Sequence, residues 1–218
     1  MECKVGVGIV TTAGREDYLD KTVKSLLKSY PEGVGVTIFK DLEKGLTPNH
    51  IASWKELYKD PTTSHGLLIQ DDTLASKNWY EAACLLAEKF PVVSLYSGLG
   101  VTQDRKGFVE IPAHKWINEQ ALMIRKDVLA MYLGWVMGDG HKKVLPESEL
   151  KHHDSILRAF FKEFGIKIVL SSPSIFQHIG VDSTMGHPFT IGRNKRESKS
   201  FEGEDFDAYE FMKERLNA

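Results

Sequence analysis

Leu67-Leu68-Ile69-Gln70-Asp71-Asp72 is a short apolar run that ends in two adjacent carboxylates. A brief apolar segment bounded by turn-forming residues reads as a buried strand. Two acidic side chains at the edge of a core are costly unless a cation needs them. A divalent metal at the carboxyl end of a strand is one such cation, and that edge is where open α/β sheets bind ligands. The competing reading is local: Asp71 and Asp72 begin a turn or cap the helix that follows.

Outward from this segment, strands and helices alternate. Val5-Gly6-Val7-Gly8-Ile9-Val10 reads as a first strand and leads into the polar loop Thr11-Thr12-Ala13-Gly14-Arg15. Leu19, Val23, Leu26 and Leu27 then recur at helical spacing, until Tyr30-Pro31-Glu32-Gly33 ends the helix. Val36 to Asp41 is a second strand that also ends in a carboxylate. Further helices are expected over 49–57, 78–90, 126–136 and 154–164, and strands over 92–96, 121–124 and 167–170. Segment 98–112 reads as a loop or hairpin, and 138–151 as a polar loop that serves either as a lid or as ordinary surface. The pattern implies an α/β/α sandwich with a mostly parallel central sheet. A single domain is expected over 1–190. Residues 191–218 form a charged tail, with Phe206, Tyr209 and Phe211 packing it back on the body. The basic stretch 193–199 reads as a solvated linker or as a substrate-binding arm.

The bulk numbers narrow the class. At 218 residues, 42% hydrophobic and 27% charged, the chain suits one large globular domain. A net charge of -2 argues against wholesale coating of nucleic acid, while leaving room for a local basic patch. Cys3 and Cys84 fit neither a zinc pattern nor a disulfide framework, so a reducing compartment is expected. The sequence carries no signal-peptide pattern and no apolar run long enough for a membrane span, and a cytoplasmic location is the expectation.

Taken in order, these segments resemble the GT-A class of nucleotide-sugar glycosyltransferases. Val7 to Arg15, followed by Tyr18-Leu19, resembles the family's first strand and nucleotide loop. Gln70-Asp71-Asp72 is similar to its acidic metal motif, with glutamine in the first position. Ser172 to Gly180 and Ser183-Thr184-Met185-Gly186 resemble a stretch of the branching N-acetylglucosaminyltransferases. The resemblance implies a Rossmann-like GT-A fold over most of residues 5–187. It also implies that Thr11, Thr12, Arg15, Asp41 and Asp71 bind the donor, with Asp41 reading uracil or ribose. Asp72 is the implied metal ligand, and His178, beyond the last core strand, completes the metal site. Read alone, His178 is as compatible with a satisfied loop histidine.

The chemistry is coherent. Transfer from a nucleotide-sugar expels a nucleoside diphosphate, and Mn²⁺ or Mg²⁺ neutralises the charge that develops on it. Oxygen ligands suit either ion, and an added imidazole favours Mn²⁺. Arg15 adds a positive charge that does not titrate. Inversion at the anomeric carbon requires a base for the acceptor hydroxyl. Asp154, in His152-His153-Asp154-Ser155, is the candidate, with Glu147 and Glu149 in reserve; a helix N-cap is the structural alternative for Asp154. His152 and His153, as neighbours on one turn, point apart and read as loop residues near the acceptor. Glu119 is a candidate for a donor-sugar hydroxyl. Trp116 and Trp135 read as core or edge residues, or as stacking platforms.

The expected activity is therefore a metal-dependent, inverting glycosyltransferase. Its donor is a nucleotide-diphosphate sugar, a UDP-sugar above others. Its acceptor is a hydroxyl on a glycan or on a hydroxymethylated base in phage DNA, where Arg193–Lys199, Lys142 and Lys143 would contact phosphates. A nucleotidyltransferase and a non-catalytic binding module are the alternatives.

Overall fold

The computed structural model describes residues 3–31, 34–41, 45–98, 102–116, 119–179 and 197–217. In chain order the elements are β1 (Val5–Thr11), α1 (Glu16–Leu27), β2 (Val36–Lys40), α2 (Leu46–Lys59), β3 (His65–Gln70), β4 (Thr73–Ala75) and α3 (Trp79–Lys89). They continue with β5 (Val92–Ser94), β6 (Gly107–Ile111), β7 (Ala121–Arg125), α4 (Lys126–Met137), α5 (Gly140–Val144) and α6 (His153–Glu163). The last are β8 (Ile168–Ser172), β9 (Phe176–His178) and α7 (Ala208–Leu216).

Period-two alternation makes the sheet apolar on both faces. Leu67 and Ile69 of β3, with Ala121 and Met123 of β7, enter one core together with Leu26, Trp79, Leu86 and Met212. Leu68, Leu122 and Ile124 enter the other, against Trp54, Leu129, Tyr132, Ile156 and Phe160. Helices α1, α3 and α7 thus cover one face, and α2, α4 and α6 the opposite one. Strands buried on both faces read as near-continuous apolar runs, which is why β3 is so visible in the sequence.

The strand order of the seven-stranded sheet is β2-β1-β3-β7-β5-β8-β6. Strands β2, β1, β3, β5 and β8 share one direction, while β7 and β6 run against their neighbours. The sheet is therefore mostly parallel, as the alternation of elements implies. The carboxyl ends of β1 and β3 lie side by side, with Val10 opposite Gln70. The register of β1 with β2 ends at Thr11 opposite Lys40, and the Asp41 amide donates to the Thr11 carbonyl at 2.8 Å.

The structure departs from the sequence reading in three stretches. Within 98–112 an edge strand, β6, pairs with β8. The segment 138–151 holds a short helix, α5, and a 3-10 turn over Glu147–Glu149. A second, two-stranded sheet joins β4 to β9, with Thr73 opposite His178.

Beyond residue 197 the described chain packs on the body through Ala208, Phe211 and Met212. Asp207 caps α7 by accepting from the Glu210 amide at 3.2 Å, and it also accepts from Asn78 at 2.9 Å. Gly107, at φ 83°, lets β6 pass close to α7, since a Cβ there would lie 2.7 Å from Cβ of Arg215. Residues 193–196 lie outside the described residues. No helix among the described residues is long and apolar enough to cross a membrane.

Candidate active site

The loop after β1 turns at Gly14, whose φ of 80° favours glycine. The turn delivers Arg15 to the start of α1. Its backbone carbonyl accepts from the Tyr18 and Leu19 amides, and its guanidinium lies 5.0 Å from the centre of the Tyr18 ring. That guanidinium grips both carboxylates at the end of β3. Nε lies 2.8 and 3.0 Å from the two oxygens of Asp71, and Nη2 donates to Asp72 Oδ2 at 2.5 Å. Thr11 Oγ1 donates to Asp71 Oδ2 at 2.6 Å. Arg15, Asp71 and Asp72 are only 7%, 4% and 7% exposed, so these contacts act with little solvent screening.

The β4–β9 pair supplies the remaining member. Asp72 immediately precedes β4 and His178 closes β9, so their register brings the two together, with Nε2 of His178 3.3 Å from Asp72 Oδ2. The Ile179 amide also donates to the Asp72 carbonyl at 2.8 Å. Helix α1 fixes the turn from beneath: Thr22 Oγ1 donates to the Asp71 carbonyl at 2.8 Å and accepts from the Thr73 amide at 3.1 Å. These bonds define a turn between two strands, and neither carboxylate caps a helix.

Burial pushes the Asp72 carboxyl upward, but the hydrogen bond and charge of His178, with Arg15, outweigh it and hold the group below its usual range. Burial works against the Arg15 charge as well, and its two carboxylates more than offset this. Asp72 Oδ1 is buried and has no hydrogen-bond partner among the described residues. The site thus presents two carboxylates to one arginine, an imidazole, and a bare carboxylate oxygen. Asp72 and His178 are the two residues of this group that could hold a divalent ion.

Thr11, Arg15, Asp71, Asp72 and His178 therefore form one contacting group, and Asp41 adjoins it through the Thr11 carbonyl. Thr12 follows Thr11 and is half-buried. Residues 180–190, which include Gly180 and Ser183 to Gly186, lie outside the described residues.

Asp154 stands apart from this group. The N-cap of α6 is His152, and Asp154 belongs to the first turn, half-buried, with Oδ1 accepting from the Ser155 amide at 2.9 Å. Glu149 accepts from Ser155 Oγ at 2.6 Å, and Glu147 is exposed. The neighbour of Asp154 links it to the acidic turn. His153 Nδ1 lies 2.7 and 2.8 Å from the oxygens of Glu119, and the Gln120 carbonyl accepts from the Gln70 amide at 2.9 Å. His153 is thus a buried residue of the first turn of α6 and not a loop residue, because α6 begins one residue earlier than the expected 154–164. Glu119 is buried with it. Trp116 lies in the core against Phe161, and Trp135 is half-buried beside Phe160. Lys142 pairs with Asp139 at 2.8 Å, and both are exposed.

No protein-family model matches the chain, and no curated protein matches its sequence. Among solved structures, A197 from STIV aligns with a TM-score of 0.52 over 82% of this chain and 86% of A197, at 11% identity. This chain has the fold of A197. Residues 1–349 of S. aureus TarS align with a TM-score of 0.49 over 79% of this chain and 59% of that one, at 15% identity. At such identities the likeness to A197 concerns the backbone arrangement, and the side-chain chemistry rests on the geometry above.

His50 is the residue that sequence reasoning missed. It lies inside α2, 1% exposed, with its ring centre 4.9 Å from that of His153. A polar residue on the core-facing stripe of an otherwise amphipathic helix was the available signal.

Proposed function

We propose that this chain is a metal-dependent glycosyltransferase that moves a sugar from a nucleotide-diphosphate sugar to an acceptor hydroxyl with inversion. One observation carries the reading: the buried, unpartnered Oδ1 of Asp72, beside His178 and Arg15, at the carboxyl end of adjacent parallel strands. Ligands of open α/β sheets bind at that edge.

Asp72 and His178 would hold Mn²⁺ or Mg²⁺. When bound, the ion supplies Lewis-acid neutralisation of the leaving diphosphate. Arg15, already held by Asp71 and Asp72, adds a fixed positive charge that cannot be lost to titration. Thr11, Thr12 and Asp41 line the adjoining strand ends and would bind the nucleoside, with a UDP-sugar as the preferred donor. Asp154 would accept the proton of the attacking hydroxyl. Its position at the start of α6, one residue from the His153–Glu119 contact that leads back to Gln70, supports that role. The acceptor class is a glycan or a hydroxymethylated base in DNA.

A panel of nucleotide-sugars, read by thermal shift and donor hydrolysis with and without Mn²⁺, tests the proposal. Metal-dependent stabilisation by one nucleotide-sugar, lost in Asp72→Ala, is the expected result. Stabilisation by nucleoside triphosphates alone would move the reading to a nucleotidyltransferase. No response to any nucleotide would leave a binding module.

A further inference from the structure

His50, Glu119 and His153 come from three segments: the middle of α2, the approach to β7 and the first turn of α6. Each offers one ligand atom, and these atoms all lie within 4.8 Å of one another. The residues are 1%, 5% and 2% exposed, so water does not stabilise charge on them.

Each has an outer atom tied down. His50 Nδ1 lies 2.8 Å from the Leu46 carbonyl oxygen. A carbonyl only accepts, so that nitrogen carries the hydrogen and Nε2 keeps the lone pair. Trp54 Nε1 donates to Glu119 Oε1 at 3.4 Å. The Tyr132 hydroxyl lies 2.7 Å from His153 Nε2, which leaves Nδ1 to face Glu119. Hydrogen bonds of this outer kind orient imidazole and carboxylate ligands on metals.

The electrostatics lack a counterion. Among the described residues no lysine or arginine contacts Glu119. Burial pushes its carboxyl up to about 7; His50 opposes the rise and the charge of Asp154 adds to it. Burial lowers His153 to about 3 and lowers His50 as well. The cluster is three buried Lewis bases with a second carboxylate nearby and no fixed positive charge.

We propose that His50, Glu119 and His153 form a metal site of the zinc class, sharing no residue with the Asp72–His178 pair. Two imidazoles and one carboxylate favour zinc over magnesium or calcium. Ligands at roughly 2.0–2.1 Å from a tetrahedral ion stand about 3.3 Å apart, so the Glu119–His153 contact must open by about half an ångström. Rotation of the carboxylate supplies that, and the proton that Glu119 and His153 now share is released to solvent on binding. With three protein ligands, the site leaves the fourth tetrahedral position to a water. It ties α2 and α6 to the sheet and fixes the first turn of α6.

The test uses the full chain carrying Asp72→Asn, which disables the other candidate ligand pair. Stripped with chelator, the protein is titrated with Zn²⁺ and with Co²⁺. Expected are one equivalent of metal retained through desalting, intense visible Co²⁺ bands of a four-coordinate site without a thiolate charge-transfer band, and a higher Tm with Zn²⁺. Tyr132→Phe should weaken Zn²⁺ binding by about 10–100-fold, the cost of losing an outer partner. His50→Ala and Glu119→Gln should weaken it further. A folded Asp72→Asn chain that retains no metal overturns the proposal, and so does a thiolate band. Unchanged Zn²⁺ affinity in Tyr132→Phe and His50→Ala overturns it equally. None of these readouts depends on sugar transfer, so the site and the transferase reading fail separately.

Discussion

Replacing Arg15 by methionine removes the cation that Asp71 and Asp72 share among the described residues. Both carboxylates are nearly buried and adjacent, and the guanidinium holds them through contacts of 2.5 to 3.0 Å. Breaking a buried pair by deleting one partner costs about 3–5 kcal/mol, because a charge is left uncompensated. For a chain of this size each kcal/mol moves Tm by roughly 2–4 °C, which gives a fall of roughly 6–20 °C. The variant leaves Asp71 with its Thr11 bond and Asp72 with His178, but without a guanidinium between them. Mn²⁺ at a hundred times its Kd should then restore about 2.7 kcal/mol. The assay is thermal unfolding of parent and variant, each in chelator and in Mn²⁺. The signature is a large loss in chelator that the ion repairs in the variant more than in the parent. An Arg15→Met protein as stable as the parent in chelator would mean that the carboxylates do not need the guanidinium, and the electrostatic account of the site would fail.

Further outcomes follow from the same geometry. Asp154→Asn should leave metal-dependent donor binding intact while transfer falls by roughly 10²–10⁴-fold, and full transfer in that variant would retire Asp154 as the base. Asp207→Ala should loosen α7 at a cost of about 0.5–2 kcal/mol in urea unfolding, since it deletes a helix cap. The Asp207 carboxyl is held below its usual range: burial raises it, but the Glu210 amide, Asn78 and Lys77 outweigh burial. Its contribution is therefore present above the ordinary aspartate pKa and is lost as pH falls through the depressed folded value, so the gap between parent and Asp207→Ala should close in acid. Gly8→Ala would set a Cβ 2.5 Å from a ring carbon of Phe39. It should cost about 1–3 kcal/mol by overpacking in urea unfolding, and an unchanged midpoint would mean that Phe39 moves aside freely.

Legibility from sequence followed burial and element length. Strands β1 and β3 were plain because both faces are covered and their middles are apolar runs. Strands β4 and β9 span three residues each and have no periodicity to detect. Yet their pairing is what carries His178 to Asp72. Strand β6 hid in a polar stretch because an edge strand needs less apolar surface. The antiparallel setting of β7 leaves no local mark in its apolar run. The grouping of Thr11, Arg15, Asp71 and Asp72 was readable because these residues lie at or just beyond neighbouring strand ends. The group of Glu119, His153 and His50 was not, since its parts lie in separate segments and each reads locally as an ordinary polar residue.

The pairing of Thr73 with His178 also has a consequence for synthesis and folding. The two halves of the Asp72–His178 pair are separated by almost half of the chain, with strands β5, β6, β7 and β8 between them in sequence. Contacts of such long sequence separation form late, after loop closure has been offset by the rest of the sheet. A nascent or truncated polypeptide that stops short of β9 carries the carboxylates without the imidazole. The Asp72–His178 contact is thus a report on completion of the fold, and a chain without β9 cannot make it.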